Sequence, residues 1–122
     1  MGSENILKPK SLCFAKRIVY AYQFLCNEKK EYVLSKQLLR SGTSIGANIA
    51  EAQYGSSRKD FLAKLYIALR ECAETLYWLE LLYSCDYFTQ SEYQSLYADC
   101  EELRKLLSSI TKSVRDGPTP NS

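Results

Sequence analysis

The feature that most constrains this chain is the absence of proline between Pro9 and Pro118. Proline removes a backbone donor and breaks the interior of a helix, so a long proline-free segment is what a protein of long helices needs. Apolar residues make up 46% of the chain, which is enough for a core. No alternating segment of useful strand length appears. The sequence therefore predicts an all-α fold in a single domain.

Apolar residues recur at spacings of three and four, which predicts four helices joined by short turns in an antiparallel up-down-up-down bundle. We expect this four-helix bundle to occupy residues 11–115, with Ser11 as the first N-cap. Residues 1–10 are expected to form a flexible leader, because Pro9 should prevent a helix before it. Residues 116–122 are expected to form a disordered tail.

The first and third helices carry more apolar surface than one bundle core uses. On the first helix the predicted inward face, or seam, consists of Leu12, Ala15, Ile18, Val19, Tyr22, Leu25 and Cys26. Phe14, Ala21 and Phe24 lie off this seam. The third helix, predicted to end near Ser84, is apolar most of the way round. Such a helix is buried most of the way round, so the surplus predicts contacts between subunits.

The second helix, predicted from about Val33 to Tyr54, is rich in small residues. Gly42 and Gly46 lie four residues apart on one side of it. Each glycine costs about 1 kcal/mol relative to alanine inside a helix, so two of them suggest a packing reason. The alternative is that the helix simply tolerates them. We expect them to let the bulky third helix approach closely.

A second stripe on the same helix is polar and consists of Arg40, Ser44, Asn48 and Glu51. Spacings of four, four and three align these side chains on one face. Three interpretations are open: a solvated face, a ligand groove, or a buried polar ladder that bonds to a neighbouring helix. We favour the ladder, which makes the stripe a structural motif rather than an active site.

The residue types argue against an enzyme. The chain has no histidine, and its five cysteines are scattered. It therefore lacks the commonest general base and any clustered ligand set, and we expect no catalytic site, no metal and no cofactor. Unclustered thiols predict reduced, mostly buried cysteines in the cytoplasm. No apolar run approaches the roughly 20 residues of a membrane span.

Charge is divided unevenly, since the first 70 residues are basic and the remainder is acidic. Such a chain can present a basic face, or can pair its halves within or between subunits. The candidate contacts for RNA or DNA phosphates are Lys16, Arg17, Lys36, Arg58, Lys59 and Lys64. The alternative is that these are ordinary solvated charges.

The second and third helices contain a residue pattern that resembles a known family. Arg40-Ser41, Ser44-Ile45, Asn48-Ile49 and Glu51 form the pattern RS-x-x-SI-x-x-NI-x-E, and the helix from Phe61 to Leu82 follows it. Together they resemble the proteins encoded in intervening sequences of 23S rRNA genes, also called S23 proteins. That family is similar to the accessory variability proteins of diversity-generating retroelements. The resemblance covers about residues 12–112.

The resemblance implies an antiparallel four-helix bundle that assembles into a ring-shaped homo-oligomer, a pentamer. For the retroelement relatives it implies that a basic surface binds nucleic acid and a reverse transcriptase. We therefore expect an oligomeric module that binds RNA or DNA. The alternative is a scaffold that docks a partner protein such as a reverse transcriptase.

Overall fold

The computed structural model describes the backbone of residues 4–117 and the side chains of residues 6–117. Four helices follow one another in that range: α1 (Glu4–Asn27), α2 (Leu34–Ala52), α3 (Arg58–Ser84) and α4 (Gln90–Asp116). Short turns make neighbours antiparallel. α1 and α3 each pack on both α2 and α4, and the diagonal pairs make no close backbone contact within the described range. The prediction of an all-α antiparallel four-helix bundle is confirmed.

The first helix begins earlier than predicted. The expected leader is wrong for residues 4–10, which form the first turns of α1 with Pro9 inside them. A proline this close to a helix start removes only one interior hydrogen bond, and Leu7, 1% exposed, anchors this end in the core. Ser11 is not a cap, because its hydroxyl donates to the Lys8 carbonyl at 3.0 Å within the helix. Residues 1–3 of the expected leader lie outside the described range.

The inward face of α1 also differs from the predicted one. Leu12, predicted to be in the core, is 59% exposed, whereas Phe14, predicted off the seam, is 2% exposed. The buried line of α1 consists of Leu7, Ser11, Phe14, Ile18 and Leu25. Ser11 interrupts the apolar pattern of this line at the point where α1 passes Gly46. The true heptad spacing is therefore hidden in the sequence.

The third helix buries one line of residues between its two neighbours and carries further apolar residues outside that line. Its buried residues are Leu65, Ala68, Cys72, Thr75, Leu79 and Leu82. Leu82, near the end of the helix, is fully buried. The buried Thr75 hydroxyl lies 3.0 Å from the Ser41 hydroxyl of α2, so the polar groups satisfy each other.

Side-chain caps fix the starts of three helices. Ser57 accepts from the Asp60 N–H at 3.1 Å, while the Asp60 carboxylate bonds to Ser56 rather than back to the cap. Thr89 and Glu92 form a reciprocal capping box at the start of α4. The cap of α2 was not predicted. The Glu31 carboxylate accepts the first N–H groups of that helix, and these include the N–H of Ser35 at 2.6 Å.

The last helix extends slightly further than predicted. α4 continues through Asp116, so that residue is not part of a tail. Gly117 follows the helix, and its N–H donates to the Ser113 carbonyl at 2.8 Å. This bond satisfies one of the carbonyls that a helix end leaves open. The rest of the expected tail, residues 118–122, lies outside the described range.

Ion pairs inside the bundle use much of the uneven charge. Basic α1 faces acidic α4, where Lys10 pairs with Glu102 at 3.1 Å and Arg17 with Asp99 at 2.6 Å. Arg40 of α2 pairs with Glu71 of α3 at 3.4 Å. The two halves of the sequence thus meet within one chain, which was one of the two arrangements that the charge pattern allowed.

Candidate functional site

The polar stripe lies along the rim between α2 and α3 and is not a buried ladder. Two of its members bond to their own helix: the Ser44 hydroxyl donates to the Arg40 carbonyl at 2.7 Å, and the Asn48 amide donates to the Ser44 carbonyl at 2.8 Å. At its lower end Glu51 accepts from Lys64 of α3 at 2.8 Å. The stripe therefore joins two helices only at its ends, through partly exposed side chains.

The upper end of the stripe is a cluster of charged and aromatic side chains. The Arg40 guanidinium pairs with both Glu71 and Glu74, and the Trp78 indole N–H donates to Glu74 at 2.9 Å. The Trp78 N–H and the Arg40 guanidinium lower the pKa of Glu74. The charges and hydrogen-bonding groups of this cluster are paired with one another. The cluster therefore fastens α2 to α3 and does not offer a general acid or base.

The two glycines of α2 face α1 and not α3. A methyl group on Gly42 would lie 2.7 Å from Cγ1 of Ile18, and one on Gly46 would lie 3.3 Å from the Ser11 hydroxyl. The expected close approach is present, but the expectation that it involves the third helix is wrong. The reason is that Ser41, next to Gly42, already meets α3 through Thr75.

The structure does not bring the six predicted phosphate contacts together. Three of them make internal bonds: Arg17 pairs with Asp99, Lys64 pairs with Glu51, and Arg58 donates to the Val114 carbonyl at 3.1 Å. Lys16, Lys36 and Lys59 are exposed and form no ion pair with any described side chain, but they belong to three different helices. A single surface containing all six is therefore absent from residues 6–117.

Two of the six do share a groove with a cation that sequence reasoning missed. Arg58 and Lys59 at the start of α3 lie beside Arg115 at the end of α4, and Tyr66 and Leu62 line the same groove of about 690 Å³. We call this the basic groove. Arg115 was missed because it comes from the far end of the chain. The signal that could have found it is topology, since in this bundle α4 ends where α3 begins.

The outer face of α3 carries exposed aromatic residues. Tyr66 is 39% exposed and Tyr77 is 57% exposed, and the ring of Tyr77 packs edge-on against Trp78 at 5.0 Å. Further apolar residues of α3, such as Leu69 and Leu76, are only partly buried against the core. The surplus apolar surface predicted for this helix is thus present on the isolated chain.

The thiols are less buried than predicted. Cys72 and Cys100 are buried, but Cys26 is only partly buried and Cys13 and Cys85 are exposed. The Cys100 thiol lies 3.6 Å from the Cys72 carbonyl, and its contact with the Cys72 thiol together with burial raises its pKa. The Cys100 thiol is therefore a packing group and not a reactive one.

Among the side chains of residues 6–117 there is no group of three or more His, Cys, Asp or Glu that could hold a metal ion. No helix in this part of the chain has a segment both long enough and apolar enough to cross a membrane.

These features define an antiparallel four-helix bundle in which the polar stripe joins α2 to α3 at its two ends, while Gly42 and Gly46 of α2 face α1. A family model described as 23S rRNA-intervening sequence protein matches residues 3–109. The chain belongs to this family. The resemblance suggested by the spacing of Arg40, Ser44, Asn48 and Glu51 is thereby confirmed.

A solved structure supports the same assignment. The chain is similar to a protein of the S23 ribosomal protein family from Bacteroides thetaiotaomicron, described as having unknown function and determined by crystallography. The two share 58% sequence identity with a TM-score of 0.89, over 90% of this chain and 98% of that one. A search of curated proteins gives no match.

Proposed function

We propose that this protein is a non-enzymatic module that assembles with copies of itself, as the homopentamer that the resemblance implies. The observation that carries this proposal is the outer face of α3, where Tyr66 and Tyr77 are exposed along a surface that also contains Leu62 and Leu69. Contiguous apolar patches on soluble proteins mark interaction sites, and tyrosine is enriched in protein interfaces.

The ionisable groups support a role without catalysis. Arg104 lowers the pKa of Glu101, as Trp78 and Arg40 do that of Glu74. Both carboxylates are therefore ionised at neutral pH and tied to a neighbour, which does not suit a general acid or base. All five cysteines are free, which supports our proposal that the protein works in a reducing compartment, the cytoplasm.

A charge on the α3 face tests self-assembly. We expect Tyr77→Glu to lower the solution mass measured by light scattering, because burying an unpaired carboxylate in an interface is costly. Tyr54→Glu is the matched control, since Tyr54 is 87% exposed in the α2–α3 turn and off the α3 face. Equal masses for wild type, Tyr77→Glu and Tyr54→Glu would show that this face is not an interface.

Binding of RNA or DNA is a second proposed function, and the basic groove is the observation that favours it. Arg58, Lys59 and Arg115 converge there beside Tyr66. Arg115 pairs with Asp116 at 2.8 Å, whereas Lys59 has no ion pair among the described side chains. Each copy in an assembly would supply one such groove, so weak contacts to a phosphate backbone would add up. Such contacts tolerate any base sequence.

A salt series tests this second function. We expect affinity for single-stranded RNA to fall as salt rises, and Lys59→Glu to weaken binding and reduce the salt slope by about one. Lys36→Glu, the same change at an exposed lysine of α2 outside the groove, should have little effect. No binding at low salt, or binding that ignores salt, would reject the proposal and favour the scaffold that docks a partner protein.

A further inference from the structure

The second half of α4 has the opposite charge from its first half. Residues 90–102 contain four carboxylates and no cation. Residues 103–115 contain no carboxylate and four cations, which are Arg104, Lys105, Lys112 and Arg115. The division of the sequence into a basic and an acidic half hides these cations, because the chain after residue 70 is acidic in total. The last turns of α4 are therefore basic, although they belong to the acidic half of the chain.

A row of exposed side chains on this part of α4 leads into the basic groove. We call it the α4 strip, and its members are Lys105, Ser109, Lys112 and Arg115, all of which are exposed. Spacings of four, three and three make successive members neighbours on the helix surface. At a rise of 1.5 Å per residue the strip is about 15 Å long. Its last member, Arg115, lines the basic groove together with Lys59 of α3, so the strip and the groove form one continuous basic surface.

Cations outnumber carboxylates where the α4 strip meets the groove. Arg115 pairs with Asp116 at 2.8 Å, whereas Lys112 forms no ion pair with any described side chain. Arg115 and, less strongly, Lys112 lower the pKa of Asp116, so both cations lie near this carboxylate. The other carboxylate near this end of the bundle, Asp60 of α3, accepts from the Ser56 hydroxyl. Lys112 and Lys59 are therefore available to an anionic partner.

Carboxylates limit the α4 strip at its other end. Lys105 lies beside Glu101 and Glu102 in a shallow groove of about 480 Å³. Each of these carboxylates already has a partner: Glu101 pairs with Arg104 at 2.9 Å, and Glu102 pairs with Lys10 of α1 at 3.1 Å. Lys105 itself forms no ion pair with any described side chain. An anionic partner is therefore expected to follow α4 as far as Lys105 and to leave the helix there.

We propose that a single nucleic-acid strand bound in the basic groove continues along the α4 strip, with Lys112 and then Lys105 as its next phosphate contacts. This inference rests on the nucleic-acid binding proposed above and adds the path of the strand and the length that one chain holds. A single row of cations follows one phosphate backbone and does not span the two backbones of a duplex.

The dimensions of the α4 strip set the length of strand that it holds. Phosphates of a stacked strand follow one another at about 3.4 Å, so a strip of about 15 Å takes about four nucleotides. The Ser109 hydroxyl lies between the two lysines and can donate to a phosphate oxygen. The strip lies on α4, so it stays open when the outer face of α3 is buried between copies.

Charge-removing variants of the two lysines test this path. Binding of a fluorescent oligouridine is measured by anisotropy over a salt series. We expect Lys105→Gln and Lys112→Gln each to weaken binding several-fold and to reduce the salt slope by about 0.7, the value for one phosphate of a single strand. Lys36→Gln, at an exposed lysine of α2 outside the groove and the strip, is the matched control and should change neither. Circular dichroism checks that each variant is helical.

The length of the oligonucleotide tests the extent of the path. Lengthening the oligouridine from about four to about twelve nucleotides should raise its affinity for the wild type, because the longer strand reaches beyond the groove onto the α4 strip. The double variant Lys105→Gln with Lys112→Gln should gain less from the same lengthening. An equal gain for the wild type and the double variant would overturn the inference.

The other outcomes separate this inference from the nucleic-acid binding on which it rests. No binding by the wild type at low salt overturns both. Binding that Lys59→Glu weakens, with an unchanged salt slope in Lys105→Gln and Lys112→Gln, overturns the inference alone, since the strand then does not follow α4. An equal loss in Lys36→Gln also overturns it, because the effect would then come from the total charge. Tighter binding of a duplex of the same length would show that the strip does not follow a single strand.

Discussion

Glu31 determines where α2 begins. Its carboxylate accepts the N–H groups of Val33, Leu34 and Ser35 at 3.1, 2.9 and 2.6 Å. Burial acts to raise the pKa of Glu31, but these three donors outweigh burial and hold the pKa below its ordinary value. Capping rules did not predict this role, because Glu31 stands two residues before Val33, the position at which a side-chain cap is normally sought.

The Glu31 cap predicts a pH-dependent stability difference. Glu31→Gln should lower the free energy of unfolding by about 1–2 kcal/mol at neutral pH. Because the folded pKa is the lower one, this contribution is complete above the unfolded value of about 4.3 and is lost as pH falls through the folded pKa. Urea unfolding at neutral pH and at about pH 3 measures it. The exposed Glu28→Gln is the control, and an equal Glu31→Gln penalty at both pH values would contradict the account.

The close approach of α1 to α2 requires a glycine at position 42. Gly42→Ala should destabilise the protein by about 1–2 kcal/mol, because overpacking against Ile18 outweighs the gain in helix propensity. Gly46→Ala is the control on the same helix, where the nearest atom is the Ser11 hydroxyl at 3.3 Å, and should be nearly neutral. Denaturant unfolding measures both. Ile18→Ala should cost less in the Gly42→Ala background than alone, and simple additivity would contradict the assigned contact.

Single residues also show where sequence reasoning ends. The close approach at Gly42 and Gly46 could be predicted from composition, since helical glycine needs a packing reason. Which helix approaches could not, because residues four apart on one side of α2 are compatible with either neighbour. The polar stripe was likewise visible as a pattern, but its burial depends on the side chains across the groove, such as Lys64 and Glu74.

Between elements, a buried hydroxyl pair links α2 to α3. The Thr75 hydroxyl lies 3.0 Å from that of Ser41, and both side chains are fully buried. Thr75→Val should cost about 1–2 kcal/mol, because it leaves the Ser41 hydroxyl poorly satisfied. Adding Ser41→Ala should then cost less than it does alone. Thr111→Val is the control, since Thr111 bonds only within α4. Additive penalties for Ser41→Ala and Thr75→Val in unfolding experiments would contradict the link.

The number and order of the helices could be predicted from the sequence, but the buried face of α1 could not. Long helical periodicity survives in the sequence, and Ser57 and Thr89 are ordinary side-chain caps at the starts of α3 and α4. The face of α1 was misjudged because Ser11 occupies a core position and Leu12 an exposed one. Tertiary packing against Gly46 decides that choice, and local pattern does not contain it.

For the whole molecule, the uneven charge has a simple physical account. Basic α1 and acidic α4 are adjacent, so Lys10, Arg17, Asp99 and Glu102 neutralise one another. These pairs are partly exposed and each is worth about 0–1 kcal/mol, so they select the pairing of helices more than they stabilise it. A basic sequence half consequently does not translate into a basic face.

The candidate surfaces emerge only in the folded chain. The basic groove needs Arg115 from α4 beside Arg58 and Lys59 from α3, residues that the sequence separates widely. The surplus apolar surface of α3 could be predicted from its composition. A surplus on α1 was also predicted, but at the wrong residues, since Phe14 is buried and Leu12, which was expected to be buried, is exposed.

The mass of the wild-type protein in dilute buffer tests the central claim, self-assembly, most directly. One chain has a mass of 14.0 kDa. Light scattering over a concentration series is expected to give a single species of five times that mass, because the exposed face of α3 is buried between copies. A mass of one chain at every concentration would contradict the account.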